Sequence, residues 1–172
     1  VADRARAART YSASLTASLR GKDLRGRTRV LLAFRRPDAL RLEIPGPTGP
    51  RLTAVAGDGR LVAVFPSERA VFESASTPDA LEALVGVALS PEELIDLLVG
   101  VPSSRLVSYR TRWGPSLPKQ IEAVLPDGAR LTAKIDEAEA DAPLPAAAFS
   151  PPPHEGYRSI EAEEVRRLWG SR

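Results

Sequence analysis

Chemistry in a protein needs side chains that titrate, coordinate or attack, and this chain offers few in a usable arrangement. His154 is the sole histidine and sits in "PPPHEGY", a proline-rich stretch. A single histidine there, with no supporting motif around it, reads as exposed filler rather than as a general base or triad member. Cysteine is absent, so neither disulfides nor thiol chemistry operate, and the redox compartment is not revealed. Metal centres want several His or Cys ligands, and none are grouped here. Glu92, Glu93 and Asp96 belong to "SPEELIDLLVG", where carboxylates near a helix N-terminus complement its dipole. No P-loop or GxGxxG occurs, and Gly57-Asp58-Gly59 is a turn. The expectation is a protein that is not an enzyme and carries no cofactor or metal.

Binding is the remaining physical option, and composition narrows it. With 172 residues, one domain is the default. Aromatics make up 5% and methionine is absent, so the interior must be mostly Leu, Val, Ala and Ile. The net charge of +2, from 24 basic and 22 acidic residues, is too balanced for a nucleic-acid binder. The charge is unevenly spread. The first 36 residues are Arg-rich, with Asp3 and Asp23 as the acids, whereas Asp136 to Glu164 is mostly acidic. A solvated surface accounts for this; so does a basic face resting near anionic headgroups, each Arg contributing ~1 kcal/mol at most. No run approaches the ~18 apolar residues of a spanning helix, and the first residues are not expected to be a signal peptide. The start at Val1 is expected to be a mature terminus, or to follow a removed or lipidated leader.

Period-two alternation dominates the chain. "YSASLTASLR" sets Tyr11, Ala13, Leu15, Ala17 and Leu19 against Ser12, Ser14, Thr16 and Ser18, a half-buried antiparallel strand. "RVLLAF", "LRLEI", "RLTAVA", "RLVAVF" and "AVFES" follow as further strands, with a turn at Arg36-Pro37-Asp38. Two helices come next. "TPDALEALVG" has Thr77 as N-cap, Pro78 at the first helical position and Gly86 as its stop. "LSPEELIDLLVG" has Ser90 as cap, Glu93 completing a capping box and Gly100 as its end. Strands resume as "RLVSYRTRW", "KQIEAVL" and "ARLTAKI". Residues 142–172 are expected to be a Pro-rich loop and a C-terminal helix or strand packed on the single domain. The fold class is mainly β with a few helices (α+β).

Areas constrain the architecture. About nine strands at 4.8 Å spacing span some 43 Å, while each helix is only ~15 Å long and ~10 Å thick. Laid flat, the helices cannot cover one apolar face of such a sheet. The sheet must close, fold into a sandwich, or curl round the helices.

The order of motifs resembles the LolA/LolB family of lipoprotein carriers and outer-membrane lipoprotein receptors. The stretches that carry the likeness are "LRLEIPGPTGPRLTAVAGDGRLVAVF", "LEALVGVALSPEELIDLLVGVP" and "SLPKQIEAVLPDGARLTAKIDEAE". Gly100-Val101-Pro102 is similar to that family's Gly-x-Pro, Leu117-Pro118 to its later Leu-Pro, and Arg36-Pro37 to an Arg-Pro pair. The resemblance, from about Tyr11 to Glu139, implies an incomplete antiparallel β-barrel, a curled sheet with short helices plugging its concave mouth and holding acyl chains. It also implies that Arg36 hydrogen-bonds a helix carbonyl in the closed state. Where the family's projecting loop carries a Leu, this chain has Thr48, in Pro47-Thr48-Gly49; a stiff hairpin loop reads equally well.

The expected lipid-binding wall is Leu15, Leu19, Leu32, Phe34, Leu42, Ile44, Leu52, Phe72, Ile121, Leu131 and Ile135, with Leu94, Leu97 and Leu98 as the plug. Core packing is the plainer role for any one of them. By the resemblance, the partners are lipoprotein acyl chains or another lipid, a LolA-type carrier and the outer-membrane surface. The protein is expected to be a monomer in the periplasm, tethered to the outer membrane as a lipoprotein. The alternative is an envelope interaction or sensing module on the same scaffold, binding a protein or a glycolipid.

Overall fold

The alternating segments pair as one antiparallel sheet with a single parallel strand at its margin. The structure, a computed structural model, describes residues 2–21 and 25–170. A short helix α1 (Ala2–Ala7) leads into β1 (Thr10–Arg20), β2 (Arg25–Arg35), β3 (Ala39–Gly46), β4 (Gly49–Gly57), β5 (Arg60–Phe65) and β6 (Ala70–Ala75). Helices α2 (Pro78–Val85) and α3 (Pro91–Leu98) follow, then β7 (Ser108–Trp113), β8 (Pro118–Val124) and β9 (Arg130–Ala140). A two-residue strand β10 (Arg158–Ser159) and helix α4 (Ala162–Gly170) complete the order. Across the 10-stranded sheet the order is β10-β6-β5-β4-β3-β2-β1-β9-β8-β7, so the sheet does not close on itself. β10 is parallel to β6 and every other neighbouring pair is antiparallel. The expected mainly-β architecture is what the chain adopts.

The helices begin where their caps dictate. The Thr77 hydroxyl accepts from the Ala80 N–H at 3.2 Å, and α2 stops at Gly86 with φ of 79°. At α3, Ser90 and Glu93 form both halves of a capping box, worth about 1 kcal/mol. β1 carries its apolar residues inward, and the pattern passes across the register: Leu15 faces Val30, Leu32 faces Leu42, Ile44 faces Leu52. That inward face packs with α2, α3 and α4 into one aliphatic core, which includes Leu81, Leu84, Ile95, Ile160 and Val165.

Three differences from the sequence expectation have physical causes. α1 was not expected; Ala5 and Ala8 are buried, so small side chains let this turn lie against the body. β9 runs on to Ala140, past the expected end at Ile135, because its acidic end pairs with β1 through a bulge at Ser14/Leu15. The last element resolves into a strand and a helix rather than one of them.

The Pro/Ala-rich segment is a strap across the outer face of the sheet. The Thr10 hydroxyl donates to the Ala142 carbonyl at 2.7 Å, Arg35 to Leu144 at 2.9 Å and Arg41 to Ala148 at 3.1 Å. Farther on, His154 Nε2 lies 3.7 Å from Glu73, and the Arg69 guanidinium sits 5.4 Å from the Tyr157 ring centroid. Val55, Val64 and Val71, which alternate outward from β4, β5 and β6, are buried although they lie outside the main core cluster.

Candidate functional site

The concave face of the sheet gathers nearly every residue expected to line a lipid site. Leu15, Leu32, Phe34, Leu42, Ile44, Leu52, Phe72, Ile121, Leu131 and Ile135 are buried in one cluster with Leu94, Leu97 and Leu98 of α3. Leu19, toward the end of β1, is partly buried at its margin. α3 touches both β3 and β8, bridging the two halves of the curl. The protein's own helices therefore occupy the concave surface. A hollow of about 660 Å3 lies elsewhere, with Ser12, Ser14, Leu31, Ala33, Arg41 and Glu43 among its lining. These residues alternate outward, so it opens on the sheet's opposite face; of the expected wall, only Leu32 touches it.

Polar ties hold α3 in place. Arg36 follows β2 at a cis Arg36–Pro37 bond. Its Nε donates to the Ala8 carbonyl at 3.0 Å and its Nη1 to Asp96 Oδ1 at 3.1 Å. The resemblance implied a helix carbonyl; the partners are a carbonyl just past α1 and a carboxylate on α3. Both side chains are partly exposed, so this pair contributes at most about 1 kcal/mol. The Tyr109 hydroxyl donates to the Leu97 carbonyl at 3.3 Å. Trp113 lies so close to Gly100 that a Cβ there would sit 2.5 Å from its ring. Burial raises the pKa of Tyr109, and a hydrogen bond with Thr111 opposes it.

Sequence reasoning gave Glu93 only its capping role. It also accepts from the Ser103 hydroxyl and, at 2.9 Å each, from Nε and Nη2 of Arg105. The signal was thin: Arg105 lies 12 residues downstream in a stretch read as strand. Also missed was the stack of Tyr11 on Phe34, centroids 5.0 Å apart with planes 8° off parallel. The Tyr11 hydroxyl is buried without a hydrogen-bond partner among the described residues, and burial pushes its pKa far upward.

At the projecting hairpin, Pro45 pairs with Pro50 and Gly46 with Gly49, leaving Pro47, Thr48 and Gly49 exposed. Gly46 is required there: a Cβ would stand 2.9 Å from the Gly49 carbonyl oxygen. The loop overhangs a hollow of about 240 Å3 shared with Pro66 and Ser67. Among the described residues no group of three His, Cys, Asp or Glu is placed to hold a metal ion. His154 Nδ1 lies 2.9 Å from the Pro152 carbonyl, within the strap.

Among solved structures, the fold has relatives at very low sequence identity. An uncharacterized conserved protein from Thermus thermophilus is 10% identical, covering 92% of this chain and 94% of its own, with a TM-score of 0.50. A DUF1329 family protein from Desulfovibrio piger is 10% identical, covering 87% and 92%, with a TM-score of 0.53. A domain provisionally named as an outer membrane lipoprotein-sorting protein, from Vibrio parahaemolyticus, is 9% identical, covering 82% and 89%, with a TM-score of 0.40. No family model and no curated protein matches the sequence. The class is thus defined at the level of fold: an open, curled antiparallel sheet with helices on one face, similar to the first two of these structures. Among the described residues no helix is long and apolar enough to cross a membrane.

Proposed function

We propose that the protein binds hydrocarbon chains, those of lipoproteins or of another lipid, on its concave face and passes them on without catalysis. The observation that carries this reading is the continuous aliphatic surface running from Leu15 to Ile135 across the curl, covered by two eight-residue helices. In the closed state Leu94, Leu97 and Leu98 fill the place an acyl chain would take. Magnitudes make the exchange reversible. Burying the apolar stripe of α3 is worth roughly 2 kcal/mol per side chain, and an acyl chain gains about 0.8 kcal/mol per methylene. The three side chains together come to about 6 kcal/mol, which a chain of about 8 methylenes matches. The Arg36–Asp96 pair adds too little to lock the helix. By the sequence resemblance, the setting is the periplasm, with a tether at the outer membrane and a LolA-type carrier as donor.

Uptake of a fluorescent fatty acid tests this. The wild type is expected to enhance the probe's emission, and Leu97→Glu, which sets a charge in the stripe, to change that uptake. No uptake by the wild type and no change in the variant would refute the reading.

A second reading is favoured by one observation: the helices fill the concave face while the larger hollow opens on the other side. On it, the scaffold is an envelope interaction module whose partner is a protein or glycolipid. Capture of such a partner by a wild type that takes up no fatty acid would favour it.

A further inference from the structure

The pairing of β1 with β9 unites charges that lie far apart in the chain. Outward-facing residues fall into three rows crossing β2, β1, β9, β8 and β7. The first row is Arg29, Thr16, Lys134, Gln120 and Arg112. The second is Arg27, Ser18, Thr132, Glu122 and Arg110. The third holds Arg20 and Arg130, then Val124 and Ser108. All the cations named are exposed, and none makes an ion pair among the described residues. Arg29 instead donates to the Ser14 hydroxyl at 3.3 Å. Glu122, which accepts from Gln120, and Asp136, which accepts from Thr16, interrupt the patch, and Glu137 and Glu139 lie farther along the same face of β9. With strands ~4.8 Å and same-face residues ~6.8 Å apart, the patch measures about 19 by 14 Å. In a chain of net charge +2, that is a strong local concentration.

We infer that this outer face of β7, β8, β9, β1 and β2 docks the protein on an anionic phospholipid bilayer. Charge complementarity calls for an anionic partner, and the form of the face selects a bilayer over a soluble polyanion. The three rows contain no aromatic side chain on which a base could stack, and they form an open sheet face rather than a groove. The face lies opposite the helix plug, so the inference holds whatever the concave face carries.

The test is co-sedimentation with vesicles of phosphatidylcholine alone and with about 30% phosphatidylglycerol, at ~0.1 M and ~0.5 M salt. Binding is expected only to the anionic vesicles at low salt. At roughly fivefold per cation, the variant Arg27→Glu/Arg29→Glu/Arg130→Glu/Lys134→Glu is expected to bind at least a hundredfold more weakly. The charge-matched control Arg4→Glu/Arg6→Glu/Arg60→Glu/Arg167→Glu, all exposed positions off this patch, is expected to bind within a few-fold of wild type. Heparin is expected to bind the wild type more weakly than the anionic vesicles do. Equal binding to both vesicle types, or equal losses in the two quadruple variants, would overturn the inference. So would heparin binding as tight as vesicle binding, which marks a site for soluble polyanions. Fatty-acid uptake by the patch variant stays at the wild-type level, so failure here is separable from failure of the carrier reading.

Discussion

Replacing Glu93 by glutamine removes one charge from the join between α3 and the loop that follows it, and the cost should depend on pH. The carboxylate accepts from the Ser90 N–H at 3.0 Å, the Ser103 hydroxyl and two Arg105 nitrogens. Burial pulls its pKa up; the Arg105 and Ser103 hydrogen bonds, the Ser90 N–H and the Arg105 charge outweigh that and bring it from 4.5 to about 2. A fall of that size is worth at most about 3 kcal/mol at neutral pH. Arg105 is 43% exposed and Glu93 20%, so solvent screening brings the expected value to about 2 kcal/mol. Because the folded-state pKa is depressed, this stabilisation is fully present above the unfolded value of 4.5 and is lost as pH falls toward 2. Urea unfolding of wild type and Glu93→Gln is the assay. The variant should be about 2 kcal/mol less stable at pH 7, and the gap should shrink to less than half by about pH 3. A gap that stays constant from pH 7 to pH 3 would refute the assignment of the low pKa to this carboxylate.

Tyr11→Phe removes a buried hydroxyl that has no hydrogen-bond partner among the described residues, so it should stabilise the protein by about 1 kcal/mol and raise Tm by about 2–4 °C; calorimetry reads this directly. Gly100→Ala places a Cβ against the Trp113 ring at φ of 88° and should cost at least ~2 kcal/mol in chemical denaturation, with a shift in Trp fluorescence. Thr48→Leu adds an apolar side chain at an exposed hairpin tip. It should strengthen partitioning onto neutral vesicles by up to ~2 kcal/mol without changing stability, as flotation would show.

Much of the architecture was legible because it rests on local rules. Alternation in "YSASLTASLR" and "LRLEI" told which side chains face inward, and the Thr77 and Ser90 caps marked both helix starts. The aliphatic wall followed from the same parity, which is why all of it except Leu19 meets in one buried cluster. What stayed hidden depends on partners distant in sequence. The end of β9, "DEAEA", has weak strand propensity and a bulge that breaks its alternation, and it is held by pairing with β1. The strap has no period at all; Arg35 and Arg41 fix it from over 100 residues away. For Arg36, the resemblance implied a bond to a helix carbonyl, but only the docking of α3 brings Asp96 within reach. Three of the basic face's seven named cations, Arg20, Arg27 and Arg29, were visible as an Arg-rich start, while Arg110, Arg112, Arg130 and Lys134 join it through sheet order alone.

That sheet order has a kinetic consequence. Strands β1 to β6 are sequential neighbours, as are β7 to β9, so each group can zip up from short hairpins. One ladder, from Tyr11 opposite Ala140 to Arg20 opposite Arg130, welds the two groups together. Closing it means bringing together segments more than 100 residues apart, the slowest kind of contact to form. The weld is therefore made late and is the natural line of first parting: loosening it shortens the lifetime of the native molecule and leaves the early steps of its assembly untouched.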